Sequence, residues 1–174
     1  NSMSDIFHPD MPEDYLNQIF NVIEQTPQHT YQILTKRADR MLQYLSVRAI
    51  PKNIWLGVTV ENRKEGLPRI DQLRNLQASV LFLSIEPLLE DLGKMNLKDI
   101  DWVIVGGESG NRARPMEKEW VENIKLQCEA EGIPFFFKQW GTWSADKIKR
   151  SKKLNGKELD GIVRQQYPDI IGIV

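Results

Sequence analysis

Short apolar runs alternate along this chain with longer segments in which apolar residues recur at helical spacing. After a clipped opening run, NSMSDIF, the apolar runs read TYQILTK, IWLGVTVEN, ASVLFLSIEP, DWVIVGGESG and IPFFFKQWG. The segments between them include MPEDYLNQIFNVIEQTP, RADRMLQYLSVR, GLPRIDQLRNLQA and MEKEWVENIKLQCEAEG. This alternation is typical of β/α units whose strands are buried on both faces of a parallel sheet.

The pattern predicts an α/β fold with a parallel sheet of about six β/α units, arranged as an incomplete TIM-like barrel. These units occupy residues 1–141. Residues 142–174 are predicted to form a C-terminal appendage with a hairpin, because Asn155-Gly156 is a favoured two-residue hairpin turn.

Each of the six runs carries an ionisable residue at the point where its predicted strand ends, and successive members of this set lie 22 to 31 residues apart. A β/α unit of a barrel has a similar length, about 30 residues. Since parallel strands end at the same edge of a sheet, these side chains are predicted to converge on one rim, where they are candidate catalytic residues. For any single position the alternative is that the strand simply reaches solvent there. The six are Asp5, Lys36, Glu61, Glu86, Glu108 and Lys138.

The composition of this rim is compatible with two kinds of chemistry. Its carboxylates, with Glu61, Glu86 and Glu108 as candidate ligands, are the groups that Mg²⁺ or Mn²⁺ prefers, which would suit a metal-dependent hydrolase or nuclease. Alternatively, the lysines pair with the glutamates and the rim holds a small zwitterionic or carboxylate ligand.

The segment GGESG, residues 106–110, is glycine-rich where a predicted strand becomes a loop. Backbone N–H groups at Gly106, Gly107 and Glu108 are therefore candidates for binding a cofactor or an anion, with a plain tight turn as the alternative. Arg112 and Arg114 follow closely and favour an anionic ligand.

Composition narrows the function classes. The net charge is -1, so no global basic field indicates nucleic-acid binding, and the basic run KIKRSKK (147–153) is interpreted as a solvated surface stretch. The single cysteine, Cys128, is expected in the core and provides neither a disulfide framework nor an iron-sulfur site. The absence of a membrane-spanning run or signal peptide predicts a cytoplasmic protein without a membrane partner.

Several segments resemble a bacteriophage-associated family that carries the phage product names Gp-thirty-seven and Gp-sixty-eight. They are NSMSDIFHPDMP, QILTKRADR, WLGVTVEN, FLSIEPLL, DWVIVGGESGNRARPM and PFFFKQWG, in this order. The resemblance runs from residue 1 to about residue 143 and is weaker in LNGKELDGIVRQQYP. It implies a phage or prophage protein related to the radical S-adenosylmethionine enzymes, with Glu61, Glu86 and Glu108 contacting that cofactor.

The chain departs from the family pattern at the iron-sulfur site. Complete relatives carry an upstream cysteine-rich loop that would hold a [4Fe–4S] cluster, and such a cluster needs several thiolates. We therefore expect this chain to correspond to the C-terminal part of such a protein, with the cluster and S-adenosylmethionine belonging to a full-length relative. The missing first unit would leave an open barrel edge and favour a homodimer. A non-catalytic interaction protein, whose rim charges neutralise one another, is the remaining alternative.

Overall fold

A parallel sheet forms the centre of the protein. The structure, a computed structural model, describes residues 4–169, and within them five strands make up this sheet. The strands lie in sequential order, and every adjacent pair is parallel. The predicted class, α/β with a parallel sheet, is confirmed. The strands are β1 (Tyr31–Thr35), β2 (Ile54–Thr59), β3 (Val80–Ile85), β4 (Trp102–Gly106) and β5 (Phe135–Gln139).

The longer helices bury their apolar stripes against one and the same face of this sheet. Right-handed crossovers explain this arrangement, because a strand order that never reverses places every connecting helix on the same side. None of the helices within residues 4–169 has the length and hydropathy needed to cross a membrane. These helices are α1 (Glu13–Gln25), α2 (Ala38–Leu45), α3 (Arg63–Leu73) and α4 (Lys118–Glu131).

The two faces of the sheet are therefore different, and we call them the covered face and the open face. On the covered face, strand residues such as Leu56, Leu83 and Val103 belong to one large core that also contains the helices. On the open face, a second cluster is built from strand residues alone, with Phe82 and Trp102 among its members. The open face is where the sheet can meet a ligand.

The run Phe135-Phe136-Phe137-Lys138 shows how one strand serves both faces. Side chains alternate along a strand, so Phe135 and Phe137 enter the core of the covered face, while Phe136 packs on the open face. Lys138 lies on the same side as Phe136, one step closer to the carboxyl end of β5. A lysine therefore follows three aromatic residues because the open face becomes polar there.

The C-terminal segment, which is the described part of the appendage (residues 142–169), covers the outer edge of β5. The N–H of Phe137 donates to the carbonyl of Arg164 at 2.7 Å, and the N–H of Gln166 donates to the carbonyl of Phe135 at 3.1 Å. The indole Nε1 of Trp102 donates to the carbonyl of Gln166 at 2.9 Å. The two bonds to β5 satisfy backbone groups that an edge strand would otherwise leave exposed.

The predicted position of the hairpin is wrong. Asn155-Gly156 ends a short helix, α5 (Lys152–Asn155), in which the Ser151 hydroxyl caps the N-terminus by accepting from the N–H of Leu154. The hairpin forms further on, between β6 (Glu158–Leu159) and β7 (Ile162–Val163). Its turn residues are Asp160 (φ 53°) and Gly161 (φ 72°), and a type I′ turn requires positive φ at both positions.

The strand predicted for the opening run NSMSDIF is not observed in the described part of the chain. Its residues before Ser4 lie outside the described residues, and Ser4 and Asp5 are irregular. Among residues 4–169 the strands do not close into a barrel, because β1 pairs only with β2 and β5 pairs with β4 and the antiparallel C-terminal segment. Curvature as a barrel section stays a prediction.

Candidate functional site

A groove of about 810 Å³ runs over the open face of the sheet. Its floor is apolar, whereas the end nearest the carboxyl termini of the strands is polar and charged. The C-terminal segment contributes Lys152 and Gln165 to one wall. The floor is formed by Leu34, Phe82, Trp102, Ile104 and Phe136, and the polar end by Lys36, Thr59, Ser84, Glu86 and Lys138.

The change from apolar to polar lining follows alternate positions along single strands. Along β3 and its extension, Phe82, Ser84 and Glu86 line the groove, while the residues between them point into the covered face. Along β5, Phe136 and Lys138 repeat this order. Both β3 and β5 therefore contribute an aromatic ring deep in the groove and a charge at its rim.

Gly57 of β2 allows the Phe82 ring to lie flat on the floor. A Cβ atom at position 57 would collide with the outer edge of that ring. The ring of Trp102 packs against Phe82, with 5.9 Å between the ring centroids, and against Phe136 at 5.7 Å. The ring of Tyr167, in the C-terminal segment, packs against Trp102 with 5.4 Å between the ring centroids. The appendage thereby supports the floor of the groove.

The first charged group at the rim joins β3 to β5. Lys138 Nζ lies 2.6 Å from one carboxylate oxygen of Glu86, and the amide nitrogen of Gln139 donates to the other at 3.0 Å. The side chains of Lys138 and Glu86 are 43% and 20% exposed, so solvent or a ligand can reach the pair.

The second charged group joins β1 to β2 and α3. Lys36 Nζ lies 3.1 Å from Glu61 Oε1, and Arg69 donates to Glu61 Oε2 at 2.7 Å. Burial alone would raise the pKa of Glu61. The hydrogen bonds from its own backbone, from Lys36 and from Arg69 outweigh burial and hold that pKa below its ordinary value. Glu61 is therefore a charged, fully paired carboxylate.

Asp5 does not line the groove but ties the N-terminal segment to the end of β1. Its carboxylate accepts from the Thr35 hydroxyl and from Arg37, both at 2.7 Å, and from the N–H of Phe7 at 3.0 Å. Burial would raise its pKa, but these hydrogen bonds and one from the N–H of Lys36 lower it overall. Its role in the structure is to anchor this segment.

Glu108 is likewise engaged outside the groove. Arg114 donates to its two carboxylate oxygens at 2.8 and 2.9 Å, and the N–H of Arg114 adds a third bond at 2.8 Å. The guanidinium of Arg114 holds the pKa of Glu108 at about 2. Arg114 therefore holds a carboxylate of its own chain, whereas the exposed side chain of Arg112 has no hydrogen bond or ion pair within residues 4–169.

The glycines of the GGESG loop are explained by close backbone packing. A Cβ atom at Gly107 would collide with the carbonyl of Trp140, and one at Gly141 (φ 80°) would collide with the carbonyl of Glu108. The N–H of Gly107 donates to the carbonyl of Gln139 at 3.0 Å. Gly106 instead faces the Glu86 side chain, 3.1 Å from where its Cβ would lie, so it keeps space open beside the rim.

The candidate metal ligands are held apart as individual ion pairs. Glu61, Glu86 and Glu108 each accept from a lysine or an arginine. Within the described ranges, no three histidine, cysteine, aspartate or glutamate side chains are grouped so that they could hold a metal ion. A divalent cation at this rim would have to displace existing cations.

An iron-sulfur cluster does not fit the residues of this chain. Cys128 is its single cysteine, and it lies fully buried on α4, in the core of the covered face. Burial raises the pKa of its thiol to about 12, so the thiolate that a cluster requires is disfavoured. The prediction that Cys128 is a core residue is confirmed.

Sequence reasoning missed several groove residues. Thr59 and Ser84 each precede a rim glutamate by two positions and therefore lie on the same side of their strands. The segments TVE and SIE, with a polar residue inside an apolar strand, carried this signal. Lys152 and Gln165 had no such signal, because their positions depend on how the appendage folds back.

The fold and the groove define a class: an α/β protein whose parallel sheet carries helices on one face and a charged, aromatic-floored groove on the other. The chain belongs to the family described as protein of unknown function (DUF5131), whose sequence model matches residues 1–168. No curated protein and no solved structure matches the chain. A phage origin, the relation to radical S-adenosylmethionine enzymes and the cytoplasmic location stay predictions.

Proposed function

We propose that this protein binds a small zwitterionic molecule with a flat heteroaromatic part in the groove, and that S-adenosylmethionine is the first ligand to test. The observation that carries this proposal is the presence of both signs of charge at the rim of an aromatic-floored groove. Lys36 and Glu61 lie on one side of the rim and Lys138 and Glu86 on the other.

The floor suits a flat ring. Phe82, Ile104 and Phe136 line the groove with apolar surface, and aromatic side chains bind flat rings by offset stacking or edge contacts. The volume of about 810 Å³ lies within the range of small-molecule pockets, about 300–1,000 Å³.

The rim suits a ligand that carries both an ammonium and a carboxylate. A partly exposed ion pair such as Lys138–Glu86 contributes only about 0–1 kcal/mol to folding, so the two side chains can exchange partners at little cost. The Lys138 ammonium would then bind the carboxylate of the ligand, and the Glu86 carboxylate would bind its ammonium, through charge-assisted hydrogen bonds.

The arrangement of the fold supports the same ligand class. Sequential parallel strands with α1 to α4 on one face are what a section of a β/α barrel would have, and in such barrels ligands bind at the carboxyl ends of the strands. The resemblance to radical S-adenosylmethionine enzymes then suggests this particular zwitterion. We assign ligand binding to this chain and no step that uses an iron-sulfur cluster.

Calorimetric titration tests the proposal. S-adenosylmethionine is expected to bind the wild-type protein, whereas Glu86→Gln and Phe136→Ala are each expected to weaken binding at least tenfold. Glu117→Gln is the matched control, because Glu117 forms an ion pair with Lys147 at 2.9 Å but lines no part of the groove. Absence of S-adenosylmethionine binding at millimolar concentration would contradict the proposal, as would an equal loss of binding in the control variant. Either result would favour the hypothesis of a non-catalytic interaction protein.

A divalent-metal hydrolase or nuclease is less well supported. Each of its candidate ligands is already paired with a cation, and one of them, Glu108, faces Arg114 rather than the other two. Titration with Mg²⁺ or Mn²⁺ is therefore expected to leave the groove resonances of an NMR spectrum unchanged. Binding that is lost in both Glu61→Gln and Glu86→Gln would favour the hydrolase instead.

A further inference from the structure

A second cavity, of about 850 Å³, opens where the C-terminal segment passes over the end of β5. We call it the lysine cavity, because Lys138, Lys152, Lys153 and Lys157 all line it. We propose that the lysine cavity binds a nucleotide, with its phosphate on the lysines and its base against the neighbouring apolar and amide groups.

The charge of the cavity remains largely uncompensated. Lys138 is paired with Glu86, and Glu158 is the single acidic residue in the lining. Within residues 4–169, the side chains of Lys152 and Lys153 make no ion pair or hydrogen bond, and Lys157 donates only to the amide oxygen of Gln165, at 3.2 Å. The exposed ammonium groups of Lys152, Lys153 and Lys157 thus face one carboxylate, so the cavity carries a net positive charge.

Within residues 4–169, two amide oxygens in the lining lack a donor. Gln139 is 5% exposed, and its nitrogen donates to Glu86, yet its Oε1 has no hydrogen-bond partner. Asn155 donates to the carbonyls of Gly141 and Thr142 at 3.0 and 2.8 Å, which fixes its amide orientation, and its buried Oδ1 is also unpartnered. A buried acceptor without a donor costs free energy, so an occupant whose N–H groups reach these oxygens after a shift of the lining would stabilise both.

The apolar part of the lining favours a base over a sugar phosphate. Leu154 and Val163 line the cavity, and they are 76% and 48% exposed. Nucleobases combine flat apolar faces with N–H donors at their edges, whereas a sugar offers hydroxyl groups on every side. Phosphate, base faces and base edges each find a matching group here.

The position of the cavity relates it to the proposed function without depending on it. Lys138 and Lys152 line both the groove and the lysine cavity, so the two spaces are neighbours. Lys153 and Lys157 line the lysine cavity but not the groove. Substituting these two residues therefore tests the nucleotide site alone.

The test compares two double variants by calorimetric titration with adenosine monophosphate, adenosine and a single-stranded hexanucleotide. Lys153→Gln/Lys157→Gln is expected to weaken binding of the monophosphate at least tenfold, to leave adenosine binding unchanged and to lower the salt dependence of binding. Lys52→Gln/Lys98→Gln removes the same charge from exposed positions near the opposite, N-terminal ends of the strands and is expected to bind like wild type.

The remaining outcomes separate the two proposals and the two sources of nucleotide. Hexanucleotide binding at least a hundredfold tighter than monophosphate binding, with the same lysine dependence, identifies a nucleic-acid strand as the source; similar affinities identify a free nucleotide. Absence of binding by all nucleotide probes, or equal binding in both double variants, overturns the site. S-adenosylmethionine binding that persists in Lys153→Gln/Lys157→Gln shows that the groove functions independently.

Discussion

The covered and open faces of the sheet are built from alternate residues of the same strands, yet they are completed in different ways. On the covered face, helices pack against the sheet, and the strand residues there are aliphatic or aromatic except Thr35, whose hydroxyl donates to Asp5. On the open face, apolar residues give way to Thr59, Ser84 and paired charges toward the carboxyl ends. The comparison teaches that one face specifies the fold, while the other is shaped to meet a ligand.

The largest expected effect comes from two neighbouring phenylalanines on opposite faces. Phe137→Ala removes a fully buried ring from the covered face and is expected to lower the free energy of unfolding by about 3–5 kcal/mol. Phe136→Ala, on the partly buried open face, is expected to cost about 2 kcal/mol or less but to impair ligand binding. Urea unfolding of both variants checks this, and equal losses would contradict the distinction.

The next effect distinguishes two adjacent glycines. Gly107→Ala forces a methyl group onto the backbone carbonyl of Trp140 and is expected to destabilise the protein by about 3 kcal/mol. Gly106→Ala meets only the Glu86 side chain, which can move, so its expected cost is about 1 kcal/mol or less. Thermal unfolding measures both changes, and the opposite order would show that the loop packs differently.

A smaller effect is expected for the ion pair at the rim. A double-mutant cycle with Lys138→Met and Glu86→Gln is expected to give a coupling of about 0.5–1 kcal/mol in unfolding, because both side chains are partly exposed. The same substitutions are expected to change ligand affinity far more than stability. A coupling of several kcal/mol would mean that the pair is a structural element and unavailable to a ligand.

The smallest effect concerns the pH dependence of stability. Because Arg114 lowers the pKa of Glu108 from 4.5 to about 2, the stabilisation from this contact is present above pH 4.5 and is lost as the pH falls toward 2. In Arg114→Gln the pKa is expected to return toward 4.5. Carbon NMR of the Glu108 carboxyl follows this titration, and an unchanged pKa would show that another group sets it.

Much of the fold could be predicted because local patterns and tertiary structure agree. The apolar runs became β1 to β5, and Gly132, with a φ of 68°, ends α4 as a glycine cap should. The hairpin turn was misplaced because Asn155-Gly156 and Asp160-Gly161 are both favoured turn pairs, and only the capping of α5 by Ser151 separates them.

The rim was predictable in part. Repetition along the sequence identified Lys36, Glu61, Glu86 and Lys138, which the structure brings together as two ion pairs. It could not show that Asp5 and Glu108 are bound by arginines of neighbouring loops, because such pairings depend on how each loop turns. The lysine cavity was also beyond reach, since it forms only when the appendage folds over β5.

The most direct test of the account is a chemical-shift map of the two faces while S-adenosylmethionine is added. Leu34 and Ile104 line the groove, whereas Val103 and Val105, the sequence neighbours of Ile104, belong to the covered core. The account predicts methyl shifts at Leu34 and Ile104 with little change at the two valines. Shifts confined to the covered face, or none at millimolar ligand, would contradict the claim that the open face is a binding site.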